Sequence, residues 1–235
     1  MSNVNQATTQ VVPVIAIDGP SGAGKGTLSS MLAAKLNFNL LDSGALYRIL
    51  AFWAEQRSLT LEELIAQTDD AKLQSVKMIN DTRCHCAKII IDDNEVTQTI
   101  HSEKYGKLAS VLARSAELRA KVMLWQRSFA RFPGLVADGR DMGTTVFPEA
   151  KLKIFLTADL EVRAKRRFLQ LQNLHLGVTL ENVLEEMRQR DERDRTRSIA
   201  PLVPAPSAII LDTSKLSVQK TVDRVLVLAQ QAGIL

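Results

Sequence analysis

The stretch Val14-Ile15-Ala16-Ile17-Asp18-Gly19-Pro20-Ser21-Gly22-Ala23-Gly24-Lys25-Gly26-Thr27 leaves this chain few ways to fold. Val14–Ile17 reads as a short buried strand, and the residues after the turn have helical periodicity. Gly19, Gly24 and Lys25 stand at the spacing of a phosphate-binding loop. Glycines let the backbone curl until its N–H groups converge on one anionic centre. A helix opening near Lys25 turns its positive dipole end to the same point. Lys25 adds a mobile charge for the outer phosphates. The predicted cradle is Gly19, Pro20, Ser21, Gly22, Ala23, Gly24, Lys25, Gly26 and Thr27. The residue after Lys25, usually Ser or Thr, is Gly26, and the hydroxyl arrives one position later at Thr27. A plain glycine turn is the alternative. Strand, loop and helix falling in order favour phosphate.

The rest of the chain alternates strands and helices. Phe38–Leu41 is a predicted strand, and Asp42-Ser43-Gly44 caps a helix over Ala45–Gln56. Tyr47 and Arg48, early in that helix, can reach back toward a ligand at the strand end. Thr60-Leu61-Glu62-Glu63 is a capping box. Residues 72–100 alternate like a small antiparallel insertion, with strands over Val76–Ile79 and Cys84–Ile91. Within it, Ile89-Ile90-Ile91-Asp92 imitates an apolar strand ending in a metal-binding aspartate, and is read as a hairpin strand. Cys84-His85-Cys86 has no second ligand cluster to make a metal site. Helices are expected over Ser102–Ala113, which holds Ser110, and Ser115–Arg131, which holds Arg119. Leu135-Val136-Ala137 is a buried strand running into Asp138-Gly139-Arg140-Asp141-Met142-Gly143-Thr144. Ligands of parallel α/β sheets bind beyond such strand ends. Lys151–Thr157 is a further strand, and Leu160–Leu174 a basic amphipathic helix stopped by His175-Leu176-Gly177. Thr179 caps a helix running through Arg197, on which Arg190, Asp194 and Arg197 share one face. A last strand over Ala208–Leu211 and a helix capped by Ser217 follow. This order predicts an α/β fold: a doubly wound, mostly parallel sheet flanked by helices, with an inserted antiparallel hairpin and a short helical lid.

Composition removes some functions. The 235 residues carry a net charge of +4 and only 5% aromatics, and no basic face is interleaved with aromatics, which argues against nucleic-acid binding. There is no Asn-Lys-x-Asp motif for guanine, so a GTPase is disfavoured. No apolar run approaches the length of a membrane span, and Met1–Val11 lacks the pattern of a signal peptide. The two cysteines, Cys84 and Cys86, suit no disulfide framework and point to a reducing, cytoplasmic setting. Arginines from separate places remain: Arg48, Arg140 and the Arg190–Arg197 stretch. Converging arginines suit a donor triphosphate and an acceptor phosphate held in line, because phosphoryl transfer needs positioning and charge neutralisation above all.

Four segments together resemble the bacterial cytidylate kinases: Gly19–Thr27, Leu41-Asp-Ser-Gly-Ala-Leu-Tyr-Arg48, Asp138–Gly143 and Arg190-Asp-Glu-Arg-Asp-Arg-Thr-Arg197. The likeness runs from about Pro13 to the C-terminal helix. The Gly26 departure itself is found in nucleoside monophosphate kinases. The resemblance implies ATP-dependent phosphorylation of CMP and dCMP with Mg²⁺, Thr27 helping to hold the metal. It implies Lys25, Arg140 and Arg197 as catalytic residues. It places Ser43, Tyr47, Arg48, Ser110, Arg119, Arg140, Asp141, Arg190, Asp194 and Arg197 in the acceptor site. Of these, Arg48 and Arg140 would meet the CMP phosphate, while Ser110, Arg119 and Asp141 would read the cytosine edge. Arg190 and Asp194 would touch the pentose, and Arg197 would reach the transferring group. The implied organisation is a disordered extension over 1–12 and a core over 13–45, 132–170 and 201–235. A monophosphate-binding region covers 46–131, and a lid covers 171–200. A monomer acting on small molecules is expected. A P-loop kinase for another monophosphate, or a nucleotide-dependent switch without turnover, stays open on the residues alone.

Overall fold

The computed structural model describes residues 11–68, 75–83, 85–172 and 177–235. Its centre is β1 (Val14–Asp18), every residue of which is buried. β6 (Leu135–Gly139) and β7 (Leu152–Thr157) flank it, β2 (Asn39–Asp42) and β8 (Ile209–Asp212) form the edges, and all pairings are parallel. The strand order β2-β6-β1-β7-β8 makes a doubly wound sheet. The central strands β1 and β6 are buried on both faces, which is why they read as continuous runs and not as alternation, while the isoleucines of the edge strand β8 are exposed. Register matters for function. Asp18 lies opposite Gly139, and Asp42 opposite Asp138, so the carboxyl ends of β1, β2 and β6 finish level.

The helices follow from their caps. α1 (Lys25–Leu36) starts after Gly24, whose left-handed φ of 96° fits a residue without Cβ. α2 (Ser43–Gln56) is capped by Asp42, which accepts the Ala45 N–H at 3.0 Å. α3 (Leu61–Gln67) has the predicted capping box between Thr60 and Glu63. A one-turn helix, α4 (Thr97–Ile100), stands in the insertion, where the sequence pattern shows none. α5 (Glu103–Leu112) and α6 (Ala116–Ser128) precede β6, and α7 (Leu160–Gln172) and α8 (Leu180–Thr196) follow β7. α9 (Val218–Gln231) buries Val222, Val225 and Ala229, packs on α1 and closes the chain. One hydrophobic core joins the sheet to α1, α2, α6 and α9. A second, small cluster of Ala164, Leu171, Val183 and Met187 joins α7 to α8 alone.

The insertion is a three-stranded antiparallel sheet, β3 (Val76–Asp81), β4 (Cys86–Ile91) and β5 (Asn94–Glu95). Ile89-Ile90-Ile91 lies in β4 paired with β3, and Asp92 is in a turn with φ 48°. Asn80 Nδ2 donates to the Ser30 carbonyl at 2.9 Å and moors this sheet to α1.

Several details differ from the sequence reading. β2 begins at Asn39 and α2 at Ser43, so Tyr47 and Arg48 sit in the second turn. α6 ends at Ser128, three residues before Arg131. Residues Met142–Val146 form a π turn, which the sequence pattern does not show. Cys86 is disulfide-bonded, where the sequence reading expects no disulfide framework. Cys84, residues 72–74 and the 173–176 portion of the expected helix and stop lie outside the described residues. No helix among the described residues is long and apolar enough to cross a membrane.

Candidate active site

The carboxyl ends of β1, β2 and β6 open into a cavity of about 840 Å³. The loop after β1 forms its floor. Gly19 has φ 147°, and a Cβ there would stand 2.0 Å from the Leu156 carbonyl oxygen, so only glycine lets the loop leave the strand against β7. Gly19 and Pro20 therefore lie behind the cavity, and Ser21–Thr27 line it. Lys25 is buried, donates to the Pro20 carbonyl at 3.1 Å and stands 3.8 Å from Asp138. Burial, then Arg140, pull its ammonium below the ordinary value, against Asp138 and Asp42. Asp138 shifts upward for the same reason, burial outweighing the attraction of Lys25. A Cβ on Gly26 would lie 3.6 Å from Asp138 Oδ2.

The acceptor candidates line the same cavity. Ser43, Tyr47, Arg48, Ser110, Arg119, Arg140, Asp141, Arg190, Asp194 and Arg197 come to it from five separate segments. Arg119 and Asp141 form a close ion pair, the carboxylate buried and the guanidinium nearly so. Arg140 Nε donates to Asp194 Oδ2 at 3.0 Å, joining the end of β6 to α8. Burial opposes ionisation of Asp194, but Arg140 and Arg190 outweigh it and hold the carboxyl below its usual range. Ser43 Oγ accepts from Gln126 at 2.7 Å. Arg48 Nη1 donates to the Ile100 and Ser102 carbonyls, each at 2.9 Å, which fixes the guanidinium at the cavity edge.

The face shared by Arg190, Asp194 and Arg197 needs correction. α8 ends at Thr196, and Arg197 is its C-cap in extended backbone (φ −62°, ψ 139°). Arg197 reaches the cavity from beyond the helix, its Nε donating to the Ala200 carbonyl at 2.5 Å.

Two donors stand out. Arg190 Nε and Arg197 Nη2 are buried without a hydrogen-bond partner. Arg190 is pulled down to about 10 by burial and then by Arg140, with Asp194 acting the other way. Crowded, desolvated guanidinium groups with unspent donors form a site awaiting anionic oxygens. Thr27, Asp42 and Asp138 add a hydroxyl and two carboxylates to the wall, hard oxygen donors of the kind Mg²⁺ takes.

Sequence reasoning passed over several members. Asp18 accepts from the backbone of Met142 and Gly143. Arg163, buried on α7, donates to the Ser21 carbonyl of the loop at 3.0 Å and to Asp191 of α8 at 2.6 Å. His101 lies 3.7 Å from Asp42. Burial pushes Asp42 up, yet His101, the Ala45 N–H and Arg48 together bring it below the usual carboxylate range. Thr213 Oγ1 donates to the Ala23 carbonyl at 3.1 Å. The sequence signal for Asp18 was its place at a strand end beside the loop. Arg163 gave no signal beyond an amphipathic helix.

Known proteins place this geometry in context. A family model described as cytidylate kinase matches residues 15–231. The chain is 50% identical over 218 residues to a protein named cytidylate kinase from Pseudomonas fluorescens (strain Pf0-1), covering 92% of this chain and 94% of that one. It is 49% identical over 215 residues to the cytidylate kinase of Stutzerimonas stutzeri (strain A1501), with 92% and 94% covered. A solved structure of an uncharacterized protein from Eubacterium ventriosum is similar in fold, with TM-score 0.50 at 13% identity over 93% of this chain and 98% of that one.

Proposed function

The chain belongs to the cytidylate kinase family, and on that premise we propose how its residues move the terminal phosphoryl group of ATP to CMP or dCMP, giving CDP or dCDP. One observation carries the assignment of residues. A phosphate-cradling loop and a second set of half-buried arginines, two with buried unspent donors, line one cavity. One phosphate site explains the loop; the second needs an acceptor that is itself a phosphate.

In this reading Ser21–Thr27 and Lys25 hold the ATP phosphates from the floor. Arg140 and Arg48 hold the acceptor phosphate, and Arg197 spans toward the group in transit. Arg190 and Asp194 meet the pentose. Ser110, Arg119 and Asp141 read the cytosine edge: a guanidinium and a carboxylate side by side offer donors and an acceptor to one base edge. No general base is required, because a monophosphate with a second pKa of about 6 is largely ionised at neutral pH. The attacking oxygen needs only orientation and relief from charge repulsion. Mg²⁺, when bound with the nucleotide, supplies further neutralisation of phosphate charge, and Thr27 with Asp138 and Asp42 are the residues suited to hold it.

The organisation follows the same reading. The sheet and its packed helices form the core, residues 46–131 the monophosphate-binding region and 171–200 the lid. The small cluster in which Ala164 of the core part of α7 meets Leu171, Val183 and Met187 of the lid supports a lid packed on α7, apart from the main core. Met187 of α8 lies over Gly22, where a Cβ would meet its Cε at 2.8 Å, so this helix covers the loop and keeps water from the phosphates. We propose that the enzyme acts as a monomer on small molecules in the cytoplasm. The test is an acceptor screen with CMP, dCMP, UMP and AMP, read by coupled ADP release. CMP and dCMP should lead by at least about tenfold, the separation that one good base contact provides. Equal rates with AMP, or ADP release independent of acceptor, would count against it.

A further inference from the structure

Asp18 is the last residue of β1 and immediately precedes Gly19, where the donor loop begins. Its side chain does not serve that loop. Oδ1 accepts the Met142 N–H and Oδ2 the Gly143 N–H, both at 2.8 Å. Asp18 is 4% exposed, so neither bond has a water to replace it. Two successive N–H groups aimed at one carboxylate form a small anion nest. They open the π turn, in which the Asp141 carbonyl accepts from Thr145 and Val146 and the Met142 carbonyl from Phe147. Asp141, just upstream, has φ −145° and ψ 25°, and its side chain meets Arg119. The approach at Gly143 is close. A Cβ there would stand 3.2 Å from the Lys153 stem and 3.4 Å from Asp18 Oδ2.

We infer that Asp18 is a positioning residue for recognition of the acceptor base: by gripping the backbone of Met142 and Gly143 it holds Asp141 against Arg119, and from its place beside Gly19 it ties that arrangement to the donor loop. The inference rests on the reading that Arg119 and Asp141 face the base. It has a chemical corollary. On protonation one carboxyl oxygen becomes a donor and a much poorer acceptor than in the carboxylate, so the bond from one of the two N–H groups weakens. Burial pushes the Asp18 carboxyl up to about 6, with the Gly143 and Met142 N–H groups pulling against it. The charges facing it are Asp141, which raises it, and Lys25 of α1, which lowers it. Asp138 of β6 stands near enough to interact, and Lys153 of β7 turns its ammonium to the Pro148 carbonyl. The grip should therefore loosen just below neutral pH, and Asp18→Asn should imitate the loosened state.

The test is calorimetric binding of cytidine, which lacks the titrating phosphate, to wild type and D18N between about pH 5 and about pH 8. At the upper end D18N should bind cytidine roughly tenfold more weakly, with ATP affinity changed less than about twofold. Wild-type affinity should fall to the D18N value as the pH drops through about 6, so the ratio of the two approaches one. Asp138 also titrates in this range and is raised by the Asp18 charge, so the D18N profile records its contribution separately and the Gly143 amide midpoint of the wild type identifies that of Asp18. Equal affinities at the upper end, or a ratio that does not move with pH, would overturn the inference. If D18N does not fold, the Gly143 amide resonance of the wild type replaces it. That resonance must titrate with the same midpoint as cytidine affinity, and a different midpoint overturns the inference. D141N separates the two levels: if it binds cytidine as wild type does, the base-site reading has failed. If D141N weakens binding and D18N does not, only the role of Asp18 has failed.

Discussion

Arg163 and Asp191 form a buried ion pair, Nη2 to Oδ2 at 2.6 Å, and the same guanidinium donates through Nη1 to the Ser21 carbonyl at 3.0 Å. One side chain thus joins α7, α8 and the loop that cradles phosphate. The Ser21 bond uses a loop carbonyl, so the inward-facing N–H groups stay available to the nucleotide. Removing one member of such a pair leaves a charge in a place built for two. Asp191→Ala should destabilise the fold by about 3–5 kcal/mol and raise the KM for ATP several-fold, because α8 no longer rests on the loop. Urea unfolding and steady-state kinetics check this. Unchanged values in both would mean the pair carries neither packing nor positioning.

Lys25→Ala separates chemistry from folding. The lysine ammonium holds the Pro20 carbonyl and faces Asp138. Its loss should lower kcat by about 10²–10³-fold, the size of one electrostatic contact to developing charge. The melting temperature should stay close to wild type. Asp138, already shifted upward by burial, can take up a proton when its cation goes. Retained turnover would exclude the loop lysine from the reaction.

The part of this molecule that sequence makes legible is local. The loop is readable because strand, glycines, lysine and helix are contiguous, and the acceptor segments because each is short and dense in charge. What joins them is not readable. The Asp18 contacts to Met142 and Gly143 span 124 and 125 positions, and nothing near Asp18 announces them. Arg163 looks like one more cation on a basic helix, and only the packing of α7 on α8 makes it central. The charged run contains no Gly or Pro before Pro201 to end the periodicity, so sequence alone puts Arg197 on a helix face. In the structure α8 stops at Thr196, and the Asp194 carbonyl instead accepts the Leu202 N–H at 2.7 Å. The π turn at Met142–Val146 has no periodic signature at all; tertiary bonds make it.

Asp194→Ala should weaken use of both CMP and dCMP. Asp194 sits between Arg140 and Arg190 and is ionised in the fold because they hold it so. Without it two guanidinium groups repel each other in a desolvated space, and neither keeps its aim. KM for both acceptors should rise about 10–100-fold, in keeping with the loss of a buried charged partner. The KM for ATP should move far less. Identical steady-state constants for variant and wild type would remove Asp194 from the acceptor site.

Arg119→Met tests base reading alone. The arginine pairs with Asp141 and lies with its guanidinium carbon 6.0 Å from the Tyr47 ring centroid. Methionine keeps much of the volume and removes every donor. The ratio of kcat/KM for CMP over UMP should fall by about 10-fold or more, the cost of an unmatched polar edge. A constant ratio would show that other residues discriminate the base.

Asp18 gives a prediction in pH with a defined sign. Its carboxyl titrates near 3.8 in an unfolded chain and near 6 in the fold. Between those values the folded protein holds a proton that the unfolded chain has released. The slope of unfolding free energy against pH is therefore negative across that window: stability attributable to this group falls as the pH rises from about 4 to about 6 and is level beyond it. At 1.36 kcal/mol for each tenfold step in the binding constant, the full change is about 3 kcal/mol. The amide that replaces the carboxyl in D18N does not titrate. The wild-type value minus the D18N value, from urea unfolding at stepped pH, should therefore decline by up to that amount and then flatten. A difference independent of pH would mean that Asp18 is not held ionised against its burial. A decline as described would mean that the fold gives up stability at neutral pH to keep a carboxylate under Met142 and Gly143, a choice that packing does not require and that the placement of Asp141 explains.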